Sequence, residues 1–255
     1  MKKPIIIAFG NRKGGVAKSS SVAALASYYA KRGFKVLAVD LDTQGSLTIT
    51  FLKSIPEDTV SNIFDGKRIP IQHVRDNLDL VAADDDLAAD EQDLKKPDDR
   101  LILSRALAVV KDNYDLILLD CPPALSWLTI NALSACDKLI VPMDIDNKSI
   151  KAVNDMAVAC YKSATPTKID GIFFTIYEKK LKVTQMVETL MRDQYGATIL
   201  ETAIRKCSKI KESSMAYTDV ITYAPCCNAA KDYQLLGDEI LRLIGVEVKE
   251  ESKEA

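Results

Sequence analysis

The chain has 255 residues and a mass of 28.1 kDa, which suit one domain with a sizeable core. Hydrophobic residues make up 47% and charged residues 27%, a balance that excludes a mainly disordered or collagen-like protein. The 34 basic and 36 acidic side chains leave a formal charge of −2, which argues against indiscriminate coating of nucleic acid.

Apolar runs of strand length alternate along the chain with longer stretches of helical period, the pattern of β-α-β units. Strands are predicted at Ile5–Phe9, Lys35–Asp40, Leu78–Ala82, Leu116–Asp120, Lys138–Pro142 and Gly171–Ile176. Helices are predicted at Lys18–Arg32, Arg100–Asp112, Leu128–Ala135, Ser149–Tyr161, Thr184–Tyr195 and Lys231–Ile244. This alternation predicts an α/β fold with a mainly parallel, twisted sheet flanked by helices.

One domain is predicted over residues 1–246, followed by a charged flexible tail over residues 247–255. The acidic stretch Asp84–Asp99 is interpreted as a surface loop or a helix entry. No apolar run approaches the ~20 residues of a membrane-spanning helix, so no membrane association is expected. The six cysteines show neither a disulfide framework nor metal-ligand spacing, which favours a reducing cytoplasm.

The segment that follows the first predicted strand reads GNRKGGVAKSS over residues 10–20 and leads into an Ala-rich helix. A glycine loop in this position can direct backbone N–H groups at a polyphosphate, where the helix N-terminus adds positive potential. Lys18 would supply a point charge and Ser19 a hydroxyl for Mg²⁺. We therefore predict that a nucleoside triphosphate and Mg²⁺ bind at the loop residues Lys13, Gly14, Gly15, Val16, Ala17, Lys18, Ser19 and Ser20.

Carboxylates follow two of the later predicted strands. Asp40 and Asp42 lie at the end of the second strand, and Asp120 ends the strand that begins at Leu116. Because the carboxyl ends of parallel strands meet at one edge of a sheet, these side chains should face the metal and water beside the loop. One departure from the usual phosphate loop is Ala17, which stands where Gly is common and limits how closely the backbone can approach a phosphate.

The chain resembles the deviant Walker ATPases of the ParA/MinD family in three segments, which are residues 13–20, 40–45 and 120–123. The resemblance is strongest to the ParA/Soj branch of that family. The resemblance implies a P-loop NTPase that uses ATP and Mg²⁺ and forms an ATP-dependent homodimer. Lys13 would reach the partner's phosphates, and Lys18 would hold the β- and γ-phosphates. Ser19 would ligate Mg²⁺, Asp40 and Asp120 would support the metal through waters, and Asp42 would position the attacking water.

The resemblance also implies non-specific DNA binding through a basic segment near the end of the domain. Residues 204–211 carry four positive charges and no acidic residue, and the predicted DNA contacts are Arg205, Lys206, Lys209 and Lys211. The implied function is plasmid or chromosome partitioning in the cytoplasm, at the nucleoid, with hydrolysis stimulated by a ParB-like partner. Two alternatives stay open: ParA-like positioning of a non-DNA cargo, and a metabolic P-loop phosphotransferase.

Overall fold

The computed structural model describes residues 3–87 and 96–247. Seven strands form one sheet in the order β3-β4-β2-β5-β1-β6-β7, and every neighbouring pair is parallel except β3 with β4. The strands are β1 Ile5–Phe9, β2 Val36–Asp40, β3 Gln72–Arg75, β4 Leu78–Val81, β5 Leu116–Asp120, β6 Lys138–Met143 and β7 Ile169–Phe174. The predicted α/β class and mainly parallel sheet are confirmed.

Ten α-helices occur within the described residues. They are α1 Lys18–Lys31, α2 Ser46–Phe51, α3 Ser61–Phe64, α4 Ile102–Val110, α5 Trp127–Ala135, α6 Asn147–Cys160, α7 Lys182–Tyr195, α8 Ser208–Met215, α9 Val220–Tyr223 and α10 Asn228–Leu243. Short 3-10 helices cover Pro97–Leu101, Lys111–Asn113 and Gly196–Thr198. The helix predicted over Arg100–Asp112 therefore consists of three consecutive segments: a 3-10 helix, α4 and a second 3-10 helix. The last helix begins earlier than predicted because the Cys227 side chain caps it, accepting a hydrogen bond from the Ala230 N–H.

Helices cover both faces of the sheet, which explains why β2 and β5 are buried along their whole length. On one face, α1 packs against α10, and Gly237 allows their close approach. A Cβ at Gly237 would lie 2.5 Å from the Tyr28 ring, and the Tyr29 hydroxyl donates to the Gly237 carbonyl at 3.1 Å. The helix that follows the predicted phosphate loop is therefore fixed to the last helix of the domain.

Two predicted charged segments fall partly beyond the described part of the chain. Residues 88–95 of the acidic stretch lie outside it, and so do residues 248–255 of the predicted tail. Within residues 3–87 and 96–247, no helix combines the length and apolar character that crossing a membrane requires.

Candidate functional site

The predicted phosphate loop connects the carboxyl end of β1 to the start of α1 and is tied to two other strands. The Asn11 amide donates to the Pro142 carbonyl in β6 at 2.7 Å, and its oxygen accepts the Lys13 N–H at 2.9 Å. The Thr175 hydroxyl, just after β7, donates to the Val16 carbonyl at 3.2 Å. These bonds hold the loop in place before any ligand arrives.

Ala17 takes the left-handed conformation that glycine adopts easily, with φ 63°. For a residue with a Cβ this conformation costs about 1 kcal/mol, and the anchoring of the loop compensates for it. Ala17 thus adopts the backbone conformation for which glycine is common at this position. Ala17 directly precedes α1, whose first turn contains no acidic side chain that would repel a phosphate.

A cleft of about 540 Å³ opens over the loop and the N-terminus of α1. Lys18 is 5% exposed, and its ammonium donates to the Lys13 carbonyl at 3.3 Å, so its charge is held inside the loop. The cleft brings together most of the residues predicted for phosphate and water: Gly14, Gly15, Ala17, Lys18, Ser19, Ser20 and Asp42. Val16 is fully buried beneath the loop, where it packs instead of facing the cleft.

The floor of the site contains two buried carboxylates on adjacent strands, because Asp40 of β2 is in register with Asp120 of β5. Asp40 is satisfied: its oxygens accept the N–H and the hydroxyl of Thr48, each at 2.8 Å, and the Asp42 N–H at 3.1 Å. Burial nevertheless raises the pKa of Asp40 to about 6. This carboxylate orders the turn that carries Asp42.

Asp120 is fully buried, and no described residue makes a well-formed hydrogen bond to either of its carboxylate oxygens, although the Ser19 hydroxyl lies close enough to favour the charged form. Burial raises the pKa of Asp120 well above its ordinary value, and the charge of Asp40 adds to this, while nearby Ser19 and Lys18 act in the opposite direction. A buried polar group without a partner is costly, so its retention indicates a ligand. A hydrated cation beside Ser19 would supply the missing donors.

Ser19 and the unpaired Asp120 fit a hydrated Mg²⁺, and the predicted roles of Ser19, Asp40 and Asp120 toward that ion stay a prediction. The part of the chain that the structure describes contains no cluster of three or more His, Cys, Asp or Glu side chains arranged as metal ligands. Mg²⁺ does not require such a cluster, because it retains waters and is commonly held by one or two carboxylates together with substrate phosphates. When bound, it would neutralise charge on the phosphates, with the Ser19 hydroxyl as a ligand and the carboxylates orienting its waters.

Replacing Asp120 with Asn should stabilise the nucleotide-free protein by about 2 kcal/mol at pH 8, because Asn neither buries an unpaired charge nor has to take up a proton on folding. A carboxyl whose pKa is raised by folding stabilises the native state at low pH, and this contribution is lost as the pH rises above the ordinary value of 3.8. Denaturant unfolding at pH 5 and pH 8 should therefore show a weaker decline with pH in D120N than in the wild type.

Asp170 provides the matched control, because it is a nearly buried carboxylate that is fully paired. It accepts from the Lys138 ammonium at 2.8 Å and from the Leu139 N–H at 3.1 Å. Asp170→Asn should lower the stability. Equal destabilisation by both substitutions would contradict the role assigned to Asp120.

The two lysines of the loop have different surroundings. The Lys13 ammonium does not line the cleft; it lies 2.6 Å from the Asp144 carboxylate and 2.5 Å from the Asp146 carboxylate, between β6 and α6. Partial burial opposes the charge, but hydrogen bonds and attraction from both carboxylates raise the pKa of Lys13. Asp144 and Asp146 were not predicted from the sequence. Their signal was available, since Asp144 and Asp146 have the same Asp-x-Asp spacing at the end of β6 as Asp40 and Asp42 have at the end of β2.

The four cations predicted to contact DNA are largely paired. Three form ion pairs, namely Arg205 with Asp232 at 2.6 Å, Lys206 with Glu178 at 3.2 Å and Lys209 with Glu212 at 2.6 Å. Lys211 forms no ion pair with any described residue. The count of +4 from residues 204–211 therefore overstates the local positive potential, because three of the four charges are neutralised by ion pairs. The partner carboxylates lie in the segment after β7, in α8 and in α10. DNA binding by these residues stays a prediction.

The comparisons agree with this architecture. A family model described as AAA domain matches residues 4–168. The chromosome-partitioning ATPase Soj of Treponema pallidum (strain Nichols) is 33% identical over 244 residues, which cover 92% of this chain and 96% of that protein.

Among solved structures, cobyrinic acid a,c-diamide synthase from Mycobacterium smegmatis with bound ADP and magnesium has a TM-score of 0.80 at 26% identity, covering 95% of this chain and 96% of that chain. A plasmid partition protein from Borrelia burgdorferi B31 bound to AMPPNP has a TM-score of 0.82 at 24% identity, covering 95% and 98%.

The family model spans more than half of the sequence, and the Soj relative spans nearly all of it. The mainly parallel sheet agrees with the predicted fold class, and the loop between β1 and α1 lies beside the carboxylates that end β2 and β5. The chain therefore belongs to the AAA domain family and, within it, to the ParA/Soj partition ATPases.

Proposed function

We propose that the chain is a partitioning switch that dimerises on binding ATP and Mg²⁺, binds DNA without sequence preference, and releases it when ATP is hydrolysed. The observation that carries the proposal is the different placement of the two loop lysines. Lys18 is buried within its own phosphate loop, whereas Lys13 is held outside the cleft by Asp144 and Asp146. Lys13 therefore does not serve its own cleft, and it would reach a second subunit once its two ion pairs open.

Phosphoryl transfer depends mainly on positioning and on neutralising the charge that develops on the phosphates. Lys18, Ser19 and the N-terminus of α1 would provide the charge within one subunit, and Asp42 would orient the attacking water. If Lys13 is supplied by the partner, the site is complete only in the dimer, and hydrolysis becomes conditional on dimerisation. Breaking the two ion pairs of Lys13 is then part of the transition to the dimer.

In this proposal DNA binds to α8 and its approach, where Lys206, Lys209 and Lys211 are exposed; Lys206 and Lys211 also line the cleft, so DNA would bind beside the nucleotide. The ion pairs with Glu178 and Glu212 make one subunit a weak binder, so two subunits side by side would be needed for useful affinity. A ParB-like partner would stimulate hydrolysis and thereby release the DNA. The protein would act in the cytoplasm, at the nucleoid.

Co-sedimentation with non-specific DNA should show retention with ATP and with a slowly hydrolysed analogue, and little retention with ADP. The Lys206→Glu, Lys209→Glu double variant should lose retention about tenfold or more and keep ATP-dependent dimerisation, because phosphate contacts are additive and sensitive to salt. Lys162→Glu with Lys168→Glu is the matched control: both lysines are exposed, and both lie between α6 and the amino end of β7, whereas the cleft opens at the carboxyl ends of the strands.

Each other outcome identifies a different function. Equal DNA retention in all nucleotide states would exclude the switch, and dimerisation on ATP without DNA retention would favour positioning of another cargo. The likeness to cobyrinic acid a,c-diamide synthase makes a metabolic P-loop enzyme the second candidate. ATP turnover by a monomer that depends on an added small molecule and not on DNA would support that candidate.

A further inference from the structure

The cleft continues beyond the phosphate loop toward a wall that the phosphate site does not use. Thr175 and Ile176, which follow β7, line this second half together with the segment from Ile204 to Cys207 and with Ile210. If the phosphates occupy the N-terminus of α1, the part of the cleft along this wall is the space left for the nucleoside of the same ligand. Side chains of this wall should therefore affect the binding of the nucleoside and not the binding of the phosphates.

Arg205 is one of the polar side chains of this wall, and a carboxylate from the last helix orients it. The Asp232 carboxylate accepts from the Arg205 Nη2 at 2.6 Å and from its Nε at 2.9 and 3.2 Å, and it also accepts the Arg205 backbone N–H at 3.0 Å. Asp232 is 5% exposed, whereas the Arg205 side chain is 49% exposed. One edge of the guanidinium is thus fixed while the rest of its surface stays accessible.

The backbone of the wall is fixed on its other side by β7 and the residues after it. The Ile204 N–H donates to the Phe174 carbonyl at 2.8 Å, and the Tyr177 N–H donates to the Ile204 carbonyl at 3.0 Å. Next to Asp232 on α10, the Tyr233 hydroxyl lies 3.1 Å from the Ser21 hydroxyl in α1. The same turn of α10 therefore contacts both the phosphate-loop helix and the nucleoside wall.

We infer that Asp232 is a positioning residue that holds the Arg205 guanidinium flat against the cleft, where its face packs on the base of the bound nucleotide. A planar guanidinium stacks on aromatic rings, and a fork of hydrogen bonds to one carboxylate sets its plane. The inference rests on the proposed function in that a nucleotide occupies the cleft. Arg205 is then no longer one of the expected DNA contacts, because the buried Asp232 carboxylate neutralises its charge.

The test compares the affinities of ADP and inorganic pyrophosphate, each with Mg²⁺, measured by calorimetry on the full chain. Asp232→Asn should weaken ADP binding roughly tenfold while leaving pyrophosphate binding within about twofold. Arg205→Lys, which retains the charge and loses the planar fork, should have the same selective effect. Asp232→Glu should recover part of the lost ADP affinity.

Glu239→Gln is the matched control, because Glu239 also lies on α10 and also binds the backbone leading to the wall. It accepts the Glu201 N–H at 2.7 Å and the Thr202 N–H at 2.9 Å, and it does not line the cleft. ADP affinity should be unchanged in E239Q. Equal loss of ADP and pyrophosphate binding in D232N, or unchanged ADP affinity in both D232N and R205K, would overturn the inference. A wild-type protein that binds neither ligand would instead refute the proposed function.

Discussion

Asp42→Ala is expected to bind ATP almost as tightly as the wild type and to turn it over at least about a hundredfold more slowly. The Asp42 carboxylate lines the cleft, and the hydrogen bond it accepts, from the Gln44 N–H at 3.1 Å, lies within its own turn. Its loss therefore removes no anchor of the phosphate loop. What is lost is the acceptor that would orient the attacking water, so the ATP-bound dimer should accumulate.

Single-turnover hydrolysis, nucleotide affinity and dimer content by gel filtration measure the three consequences separately. Asp65→Ala is a suitable control, since that carboxylate is exposed and pairs only with Lys67 among the interactions described. Undiminished turnover in D42A would refute the role of Asp42. Slow turnover accompanied by an equal loss of ATP affinity would show that Asp42 supports the loop instead of the reaction.

The central sheet, and the convergence of the glycine loop with the carboxylates after the strands, could be predicted from the sequence because both depend on local patterns. Buried parallel strands are continuous apolar runs, and the residues that follow their carboxyl ends must converge at one edge. Asp40 and Asp120 could therefore be placed together before their register was known. The strand Gln72–Arg75 was missed because it is antiparallel, short, polar and largely solvent-facing at the edge of the sheet.

The interactions that the sequence did not predict join segments far apart in the chain. The pairing of Lys13 with Asp144 and Asp146 spans more than 130 residues, and the pairing of Arg205 with Asp232 joins the approach of α8 to α10. Such pairs follow from how loops meet after the helices have packed. Counting the charges along residues 204–211 therefore predicted a basic patch, whereas three of those four charges form ion pairs in the folded chain.

Lys13→Ala should lower ATP turnover by about a thousandfold, the scale expected when a cation supplied by a partner subunit is lost from phosphoryl transfer. Binding of ADP to the monomer should change little, because the Lys13 ammonium points to Asp144 and Asp146 and not into its own cleft. Arg12→Ala is the matched control: the neighbouring cation pairs with Asp155 at 2.8 Å and has no assigned part in the reaction.

A mixture of Lys13→Ala and Asp42→Ala proteins tests whether the lysine acts across the interface. In a mixed dimer, the K13A subunit retains Asp42 and receives Lys13 from the D42A subunit, so one of the two sites is complete. Random exchange at equal concentrations should restore about a quarter of the wild-type rate, because half of the dimers are mixed and each has one working site. If Lys13 acts on its own subunit's nucleotide, the complete set of groups occurs in no subunit and the mixture stays inactive.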